Sequence, residues 1–288
     1  MSDVVKTWSE WLKSSRFLYH TPEQKEQTLR WLFQVRDRIL KKANINNGDT
    51  VLDIGTGTGL LAFGAYEKLN GSGKIIFQDI APDCIEECRK IAEECNILNS
   101  ADFLVSEASN LDLKDNTVDV IVLRSVLVHI LDKAKSIKEF YRVLKQGGRI
   151  SIFEPVLSSN VRYYELINPE KYPNFERIKQ AETKIMTDKN DALTNFDENS
   201  LVEEFKQAGF KNVSLEADRV QSTYIVQKDS VSSWFDTSPS PGNLTMRERF
   251  LLHLEKEEVD DFIEKLKGDF EGKEITISTL SAYISAEK

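Results

Sequence analysis

The sequence predicts a doubly wound α/β fold around a mostly parallel, seven-stranded sheet, and three observations support it. Short apolar runs alternate with amphipathic runs of helical length between residues 45 and 156. The apolar runs are nearly continuous, which is typical of parallel strands that helices cover on both faces. A glycine-rich turn, "DIGTGTG" at 53–59, joins the first strand to the next helix. Alternation of strands and helices at this spacing favours one doubly wound sheet.

The first half of the chain supplies the predicted core in order. A helix is expected to begin at "TPEQ", because Thr21 can cap it and Gln24 completes a capping box. The five strands that follow are "TVLDI", "KIIFQDI", "ADFLVSE", "VDVIVLRSV" and "RISIFEPV". Between them we expect the helices "GLLAFGAYEKLN", "APDCIEECRKIAEEC" and "LDKAKSIKEFYRVLK", whereas "ASNLDLKDNT" is expected to be irregular. Pro82 favours the start of the second helix, and Gly147 favours the end of the third.

The alternation stops after the fifth strand. Residues 157–196 are aromatic and charged, and we expect a mostly helical lid insertion there. Residues 197–288 are expected to return to the α/β domain through the strands "KNVSLEADRVQSTYIVQ" and "EITISTLSAYISAEK", with a helical insertion at about 228–272. The predicted organisation is completed by a helical N-terminal cover over residues 1–44 and a ligand-binding core over residues 45–156.

Composition and charge argue against several classes of protein. The chain has 288 residues and a net charge of −9, which disfavours nucleic acid and anionic membranes as partners. We expect no membrane span and no signal peptide. Cys84, Cys88 and Cys95 lie at helical spacing, which favours thiols packed against the sheet over disulfides or a metal site. We expect a cytoplasmic protein without a metal site. Whether it forms a homodimer is left open.

The charges around the glycine turn separate two classes of ligand. Gly57-x-Gly59-x-x-Ala62 fits the dinucleotide pattern, and Asp79 follows at a distance that suits a ribose. A diphosphate at the helix N-terminus would, however, be repelled by the nearby carboxylate of Asp53. S-adenosylmethionine has no phosphate and carries a sulfonium and an α-ammonium group, which this carboxylate would attract. No Lys-Ser or Lys-Thr pair follows the glycines, so a nucleoside-triphosphate loop is excluded.

Four motifs then carry a resemblance over roughly residues 45–156: "VLDIGTGTG", "IIFQDIAPDCIEECR", "SEASNLDLKDNTVDVIV", and "LRSVLVHI" with "FYRVLKQGGRISIFEP". In order and spacing the chain resembles the class I S-adenosylmethionine-dependent methyltransferases, particularly the ubiquinone/menaquinone biosynthesis group. The resemblance implies a Rossmann-like methyltransferase fold, with S-adenosylmethionine as cofactor and S-adenosylhomocysteine as product. It also implies that Asp79 holds both ribose hydroxyls, that Glu107 accepts from the adenine amino group, and that the backbone of Ala108 reaches the ring. The glycines are expected to bring the backbone close to the methionine part, where a Cβ would collide.

Further residues are predicted at this site and beside it. The predicted cofactor-binding residues are Asp53, Gly55, Thr56, Gly57, Gly59, Asp79, Ile80, Glu107, Ala108, Arg124 and Tyr19. An acceptor is expected to meet Arg124, near the end of the fourth strand, which could hold an acidic substrate or pair with Glu154. It is also expected to meet Tyr163 and Tyr164, because the resembling proteins place substrate-selecting elements after the fifth strand. His129 and Glu154 are the predicted catalytic residues, because both lie near the carboxyl ends of strands, where doubly wound folds bind ligands.

We predict S-adenosylmethionine-dependent methyl transfer to a small, apolar or aromatic acceptor by in-line displacement. Alignment of the acceptor, the methyl group and the sulfur can supply about 7–11 kcal/mol of the barrier. A general base is needed only where the acceptor must lose a proton, and His129 suits that role near neutral pH. Two other roles stay open: His129 can pack against the cofactor or a lid, and Glu154 can cap the backbone. The functional alternatives are an NAD(P)-dependent oxidoreductase and a catalytically silent scaffold that binds the cofactor.

Overall fold

The computed structural model describes residues 22–239 and 242–288, with only the backbone of residues 22–25. The predicted cap Thr21 and the predicted cofactor contact Tyr19 therefore lie outside the described residues, as does about half of the predicted N-terminal cover.

The chain divides into two compact units. The first consists of the residues up to Glu154 together with Glu198–Ala217 and Ala282–Lys288. The second consists of Pro155–Asp197 and Asp218–Ser281. The lid role predicted for residues 157–196, which fall in the second unit, stays a prediction.

Seven strands form the sheet. They are β1 Thr50–Ile54, β2 Lys74–Asp79, β3 Ala101–Val105, β4 Val118–Arg124, β5 Leu144–Pro155, β6 Lys211–Ile225 and β7 Glu274–Glu287. Their order is β3-β2-β1-β4-β5-β7-β6, and every pairing among the first five strands is parallel. The predicted doubly wound, mostly parallel fold class is confirmed.

Ten helices accompany the strands in the described part of the chain. They are α1 Pro22–Ala43, α2 Leu60–Leu69, α3 Pro82–Glu94, α4 Lys133–Val143, α5 Tyr163–Leu166, α6 Phe175–Met186, α7 Glu198–Gln207, α8 Ser230–Asp236, α9 Met246–Leu251 and α10 Lys256–Phe270. A 3-10 turn, Leu127–His129, follows β4. Over these same residues, no helix combines the length and the apolar character that a membrane span requires.

The core of the first unit is centred on β1. Leu52 pairs with Ile76 of β2 and with Ile121 of β4, and all three side chains are buried. The helices cover this layer through apolar faces, and the thiols of Cys84 and Cys88, which form no disulfide, belong to the buried face of α3. Cys95 also forms no disulfide, but it is exposed, because α3 ends at Glu94 and the chain leaves the sheet there.

The carboxyl ends of the parallel strands define one edge of the first unit. β1 ends at Ile54, β2 at Asp79 and β4 at Arg124, and these strands are adjacent and parallel. In doubly wound sheets this edge is where ligands bind. Every predicted site residue of the first unit that the structure describes lies at or after such a strand end.

The second unit has its own aromatic core. The ring of Phe235 lies 5.0 Å from Tyr163, 5.8 Å from Phe250 and 5.8 Å from Phe262, measured between centroids. Edge-to-face and offset aromatic pairs of this kind add to the stabilisation from burial alone. An ion pair between Arg249 and Asp191, both largely buried, also lies within this unit.

Candidate active site

The glycine turn leaves β1 in left-handed backbone conformations. The φ angle is +62° at Gly55 and +85° at Gly59, where L side chains are strained. A Cβ on Gly55 would lie 2.5 Å from Cγ2 of Val126, and one on Gly59 would lie 2.4 Å from the ring of Phe63. We expected these glycines to make room for the cofactor, whereas their backbone angles and neighbouring protein side chains already require them.

Asp53 is buried at the end of β1 and organises this turn. Its Oδ2 accepts the hydroxyl of Thr56 at 2.7 Å and the backbone N–H of Ala62 at 2.9 Å. Neither bond uses Oδ1, and the residue lines the cavity at this edge of the sheet. Burial raises the pKa of Asp53 to about 7, while these two hydrogen bonds and the charge of Arg124 oppose the rise.

Asp79, at the end of β2, holds the other side of the turn. Its Oδ2 accepts the N–H of Gly57 at 2.9 Å, and its Oδ1 accepts the N–H of Ala81 at 2.9 Å. Burial raises the pKa of this carboxyl group, and the backbone N–H groups oppose the rise. Each carboxylate oxygen can accept a second hydrogen bond, so the residue retains the capacity that ribose hydroxyls would need.

The segment predicted to meet adenine follows β3. Glu107 is exposed on the cavity wall, and its Oε2 accepts the hydroxyl of Ser109 at 3.3 Å. Ile80, which follows β2, is 45% exposed and lines the same cavity. Within this cavity Ile80 offers an apolar surface and Glu107 offers a hydrogen-bond acceptor.

The end of β4 contributes a strained turn. Ser125 has a φ of +56°, an uncommon conformation for a residue other than glycine. Its N–H donates to the carbonyl of Phe153 in β5 at 2.8 Å, and this bond helps to hold the turn. Arg124 and His129, which flank the turn, are half-buried and line the cavity.

Glu154, at the end of β5, caps the 3-10 turn Leu127–His129 with its carboxylate. Its Oε1 accepts the N–H groups of Val126 and Leu127, each at 2.9 Å, and its Oε2 accepts that of Val128 at 3.0 Å. Burial raises its pKa to about 7, and the three N–H groups and the nearby Lys133 oppose the rise. The carboxylate is fully buried and does not line the cavity, so the geometry favours the capping role over the predicted catalytic one.

The site residues of the first unit surround a cavity of about 550 Å³, a size typical of small-molecule sites. The predicted cofactor residues that line it are Asp53, Gly55, Thr56, Gly57, Asp79, Ile80, Glu107, Ala108 and Arg124. Gly59, the N-cap of α2, does not line it, although its neighbours Thr58 and Leu60 do. The sequence therefore brings together residues from four strand ends that lie far apart along the chain.

The two predicted substrate contacts in the second unit do not line this cavity. The ring of Tyr163 lies 5.0 Å from that of Phe235 and 6.3 Å from that of Trp234, so it packs into the aromatic core. The backbone N–H groups of Tyr163 and Tyr164 donate to the buried Glu182. The predicted contact of these tyrosines with an acceptor stays a prediction.

Sequence reasoning missed several residues that line the cavity. Leu29 and Leu32 of α1 are two of them, and the helical spacing of such apolar residues does not distinguish a cavity wall from a core. The hydroxyl of Ser136, on α4, is buried without a hydrogen-bond partner in the described residues. Gln78 could have been noticed, because it is a polar residue inside the apolar run "KIIFQDI".

A family model described as a methyltransferase domain matches residues 45–209. The chain belongs to this family. With the curated relatives, this match confirms the class I S-adenosylmethionine-dependent methyltransferase that the motifs predicted, together with its cofactor.

One curated relative and two solved structures are similar to this methyltransferase. The ubiquinone/menaquinone biosynthesis C-methyltransferase UbiE of Francisella philomiragia is 24% identical over 216 residues, which are 72% of this chain and 86% of the relative. Phosphoethanolamine N-methyltransferase 2 of Haemonchus contortus, solved with S-adenosylhomocysteine, is 17% identical with a TM-score of 0.52, over 90% of this chain and 55% of that one. The YcgJ protein of Bacillus subtilis is 20% identical with a TM-score of 0.55, over 88% and 98% of the two chains. At these identities the two solved structures show a shared fold.

The chemistry of the cavity fits the cofactor of this methyltransferase. Two buried carboxylates, Asp53 and Asp79, and the acid Glu107 line it, whereas Arg124 is the only lysine or arginine among the described lining residues. Such a wall suits a ligand that carries positive charge and hydroxyl groups, and it would repel a diphosphate. When bound, S-adenosylmethionine supplies a methyl group activated by its sulfonium. The residues of the chain then have to bind the donor and the acceptor, orient them for transfer, and exclude water.

Proposed function

We propose that this methyltransferase acts on a small, mostly apolar, ring-containing acceptor, and that a hydroquinone is the first acceptor to test. The cavity supports this proposal, because six aliphatic side chains of leucine, isoleucine and valine line it in addition to Ile80. These side chains are Leu29, Leu32, Leu60, Leu61, Val126 and Ile130. A wall of this kind favours burial of a ring, and the few polar groups fix its orientation.

Two further observations support a small aromatic acceptor. The UbiE relatives are named for C-methylation in ubiquinone and menaquinone biosynthesis. The net charge of −9 disfavours nucleic acid as the alternative substrate. All three cysteines lie in the described part of the chain and none forms a disulfide, so we place the reaction in the reducing cytoplasm.

Four polar residues of the wall have a proposed role. Asp53 faces the α-ammonium group of the donor, Asp79 the ribose and Glu107 the adenine amino group. His129, held at the end of the 3-10 turn, takes the phenolic proton of the acceptor, since an imidazole accepts a proton near neutral pH. Loss of that proton makes the ring carbon next to the oxygen nucleophilic. This carbon would take the methyl group as the methyl–sulfur bond breaks and S-adenosylhomocysteine leaves, and it would then lose its own proton to solvent, which restores the aromatic ring.

The experiment is an assay with S-adenosylmethionine that carries a deuterated methyl group. A short-chain prenyl hydroquinone, a catechol and a primary amine are offered separately, and mass spectrometry locates the label. We expect label on a ring carbon of the hydroquinone, a loss of at least about 100-fold in His129→Gln, and no loss in His253→Gln. His253 is an exposed histidine of the second unit and serves as the matched control. Label on the amine, or no label on any acceptor by a protein that binds S-adenosylhomocysteine, would contradict the proposal.

A further inference from the structure

Gln78 is a buried polar residue at the end of β2. Its side chain is 1% exposed, and it lines the cavity immediately before Asp79. The neighbouring residues of the strand, Ile75, Ile76 and Phe77, are apolar and buried. A primary amide has to find partners when it is removed from water, because an unpaired one costs about 1–3 kcal/mol.

Both ends of the Gln78 amide have partners, and the partners belong to different cofactor-binding segments. Its Oε1 accepts the N–H of Gly55 in the glycine turn at 3.2 Å. Its Nε2 donates to the carbonyl of Ser106, at the start of the predicted adenine segment, at 2.6 Å. Since an N–H can only donate and a carbonyl can only accept, these partners determine which end of the amide is which.

The backbone around Gln78 continues the same connection. The N–H of Thr56 donates to the carbonyl of Gln78 at 2.8 Å, and the N–H of Ser106 donates to the carbonyl of Asp79 at 3.2 Å. The end of β2 therefore holds the glycine turn on one side and the adenine segment on the other. The Gln78 side chain is the one group in this set that spans from one segment to the other.

We propose that Gln78 is a positioning residue that sets the distance between the glycine turn and the adenine segment, so that one ligand can bind both at once. The inference rests on the donor site proposed above, in which the amino-acid end of the ligand meets Asp53 and the purine meets Glu107. A ligand with both ends gains from the correct spacing, since no free energy is spent on moving one segment toward the other. A ligand with only the purine end gains much less.

Two substitutions separate the bonds of Gln78. Gln78→Met keeps the length of the side chain and removes both bonds. Gln78→Glu keeps an acceptor for Gly55 and loses the donor to Ser106. Ser151→Ala is the matched control, because the Ser151 hydroxyl is also fully buried in the first unit, donates to the carbonyl of Ile39 at 2.9 Å, and does not line the cavity.

The measurement is calorimetric titration of each folded variant with S-adenosylhomocysteine and with 5′-methylthioadenosine, which lacks the amino-acid end. We expect both Gln78 variants to weaken S-adenosylhomocysteine about tenfold and 5′-methylthioadenosine less than about threefold, as one or two lost hydrogen bonds would do. Ser151→Ala should leave both affinities unchanged. A loss of equal size for the two ligands, or no loss in either Gln78 variant, would overturn the inference while the donor site stands. A wild-type protein that binds neither ligand would overturn the donor site as well.

Amide hydrogen exchange gives an independent check without ligand. The proposal predicts that the Gly55 amide exchanges faster in Gln78→Met than in the wild type. In Gln78→Glu exchange should stay slow, because the glutamate retains the acceptor for the Gly55 N–H. Equal protection of Gly55 in all three proteins would show that the Gln78 side chain does not hold the turn.

Discussion

The carboxylate of Asp53 accepts the hydroxyl of Thr56 at 2.7 Å through the same oxygen that accepts the N–H of Ala62. One oxygen of the acid therefore shapes the turn from β1 into α2. The other oxygen takes no part in these bonds, and the residue borders the cavity. This arrangement allows Asp53 to hold the turn and, as proposed, to face the ammonium group of the donor.

Asp53→Asn tests the second role while it preserves the first. The amide oxygen can still accept from Thr56 and Ala62, but the NH₂ group then replaces the oxygen proposed to face a cation. We expect the affinity for S-adenosylhomocysteine to fall at least about tenfold, as for the loss of a charged hydrogen bond. Calorimetry measures it, with Asp102→Asn as control, because Asp102 is an exposed acid of β3 outside the cavity wall. An equal affinity in Asp53→Asn and wild type would contradict the role.

The raised pKa of Asp53 predicts a pH dependence of donor binding. Its pKa in the ligand-free protein is about 7 because of burial, so the carboxyl group is increasingly neutral below that pH. A cationic ligand binds the ionised form of Asp53 better. The affinity of the protein for such a ligand therefore rises with pH up to about 7 and is constant above it. Below pH 7 the affinity for S-adenosylhomocysteine should fall by up to about tenfold per pH unit. Asp53→Asn should lose this dependence, and a wild-type affinity that does not change between pH 5.5 and 7 would contradict the assignment.

Glu154→Gln tests the cap of the 3-10 turn. A glutamine can accept through one atom only, so its NH₂ group would oppose one of the backbone N–H groups that the carboxylate now accepts. We expect a loss of about 1–3 kcal/mol in the free energy of unfolding in urea, together with weaker binding of S-adenosylhomocysteine.

Glu182→Gln is the control for this substitution. Glu182 is also buried, also has a pKa raised to about 7 by burial, and also accepts backbone N–H groups, but it lies in the second unit. Glu182→Gln should lower the free energy of unfolding and leave the affinity for S-adenosylhomocysteine unchanged. If Glu154→Gln behaves in the same way as this control, the cap does not act on the cavity.

Gly55→Ala tests why the turn needs glycine. The new Cβ would lie 2.5 Å from Cγ2 of Val126, in addition to the cost of a φ of +62°. Gly71→Ala shares the positive φ, at +76°, but its Cβ would meet no atom of the described residues within 4 Å. We expect urea unfolding to show a loss for Gly55→Ala that exceeds the loss for Gly71→Ala by about 1–3 kcal/mol, the usual cost of overpacking. Equal losses in the two variants would mean that the contact with Val126 is not limiting.

Thiol accessibility provides a test of the packing of α3. Cys84 and Cys88 are buried, and the Cys88 thiol donates to the carbonyl of Gly57 at 3.4 Å. Burial also raises the pKa of Cys88, which leaves little reactive thiolate. A chromogenic disulfide reagent should therefore titrate one thiol in the native protein and all three in denaturant. In Cys95→Ser the native reaction should disappear, and rapid modification of a second thiol would contradict the buried face.

The sequence predicts the parts of this structure that depend on local patterns. The strands, the glycine turn and the acid Asp79 were placed correctly, because strand ends in a doubly wound sheet meet at one edge. Glu107 was predicted from the motif that resembles the adenine segment of the family, and it does line the cavity. No local sequence pattern shows that the Glu154 side chain accepts three backbone N–H groups, since these groups lie about 27 residues earlier in the chain.

The second unit shows the same limit. Tyr163 was expected to meet an acceptor because it lies in an aromatic segment after the fifth strand. Its partners Trp234 and Phe235 are about 70 residues away in sequence, and stacking among them builds a core that no periodicity within residues 157–196 reveals. Gln78 is the opposite case, because one polar residue in an apolar strand is a local signal of a specific tertiary contact.

The most direct test of the donor site is a crystal structure of the protein with S-adenosylhomocysteine. The account predicts the α-ammonium nitrogen about 3 Å from a carboxylate oxygen of Asp53, or joined to it by one water molecule, with the adenine at Glu107. A ligand bound in the opposite direction, or bound away from Asp53, would contradict it.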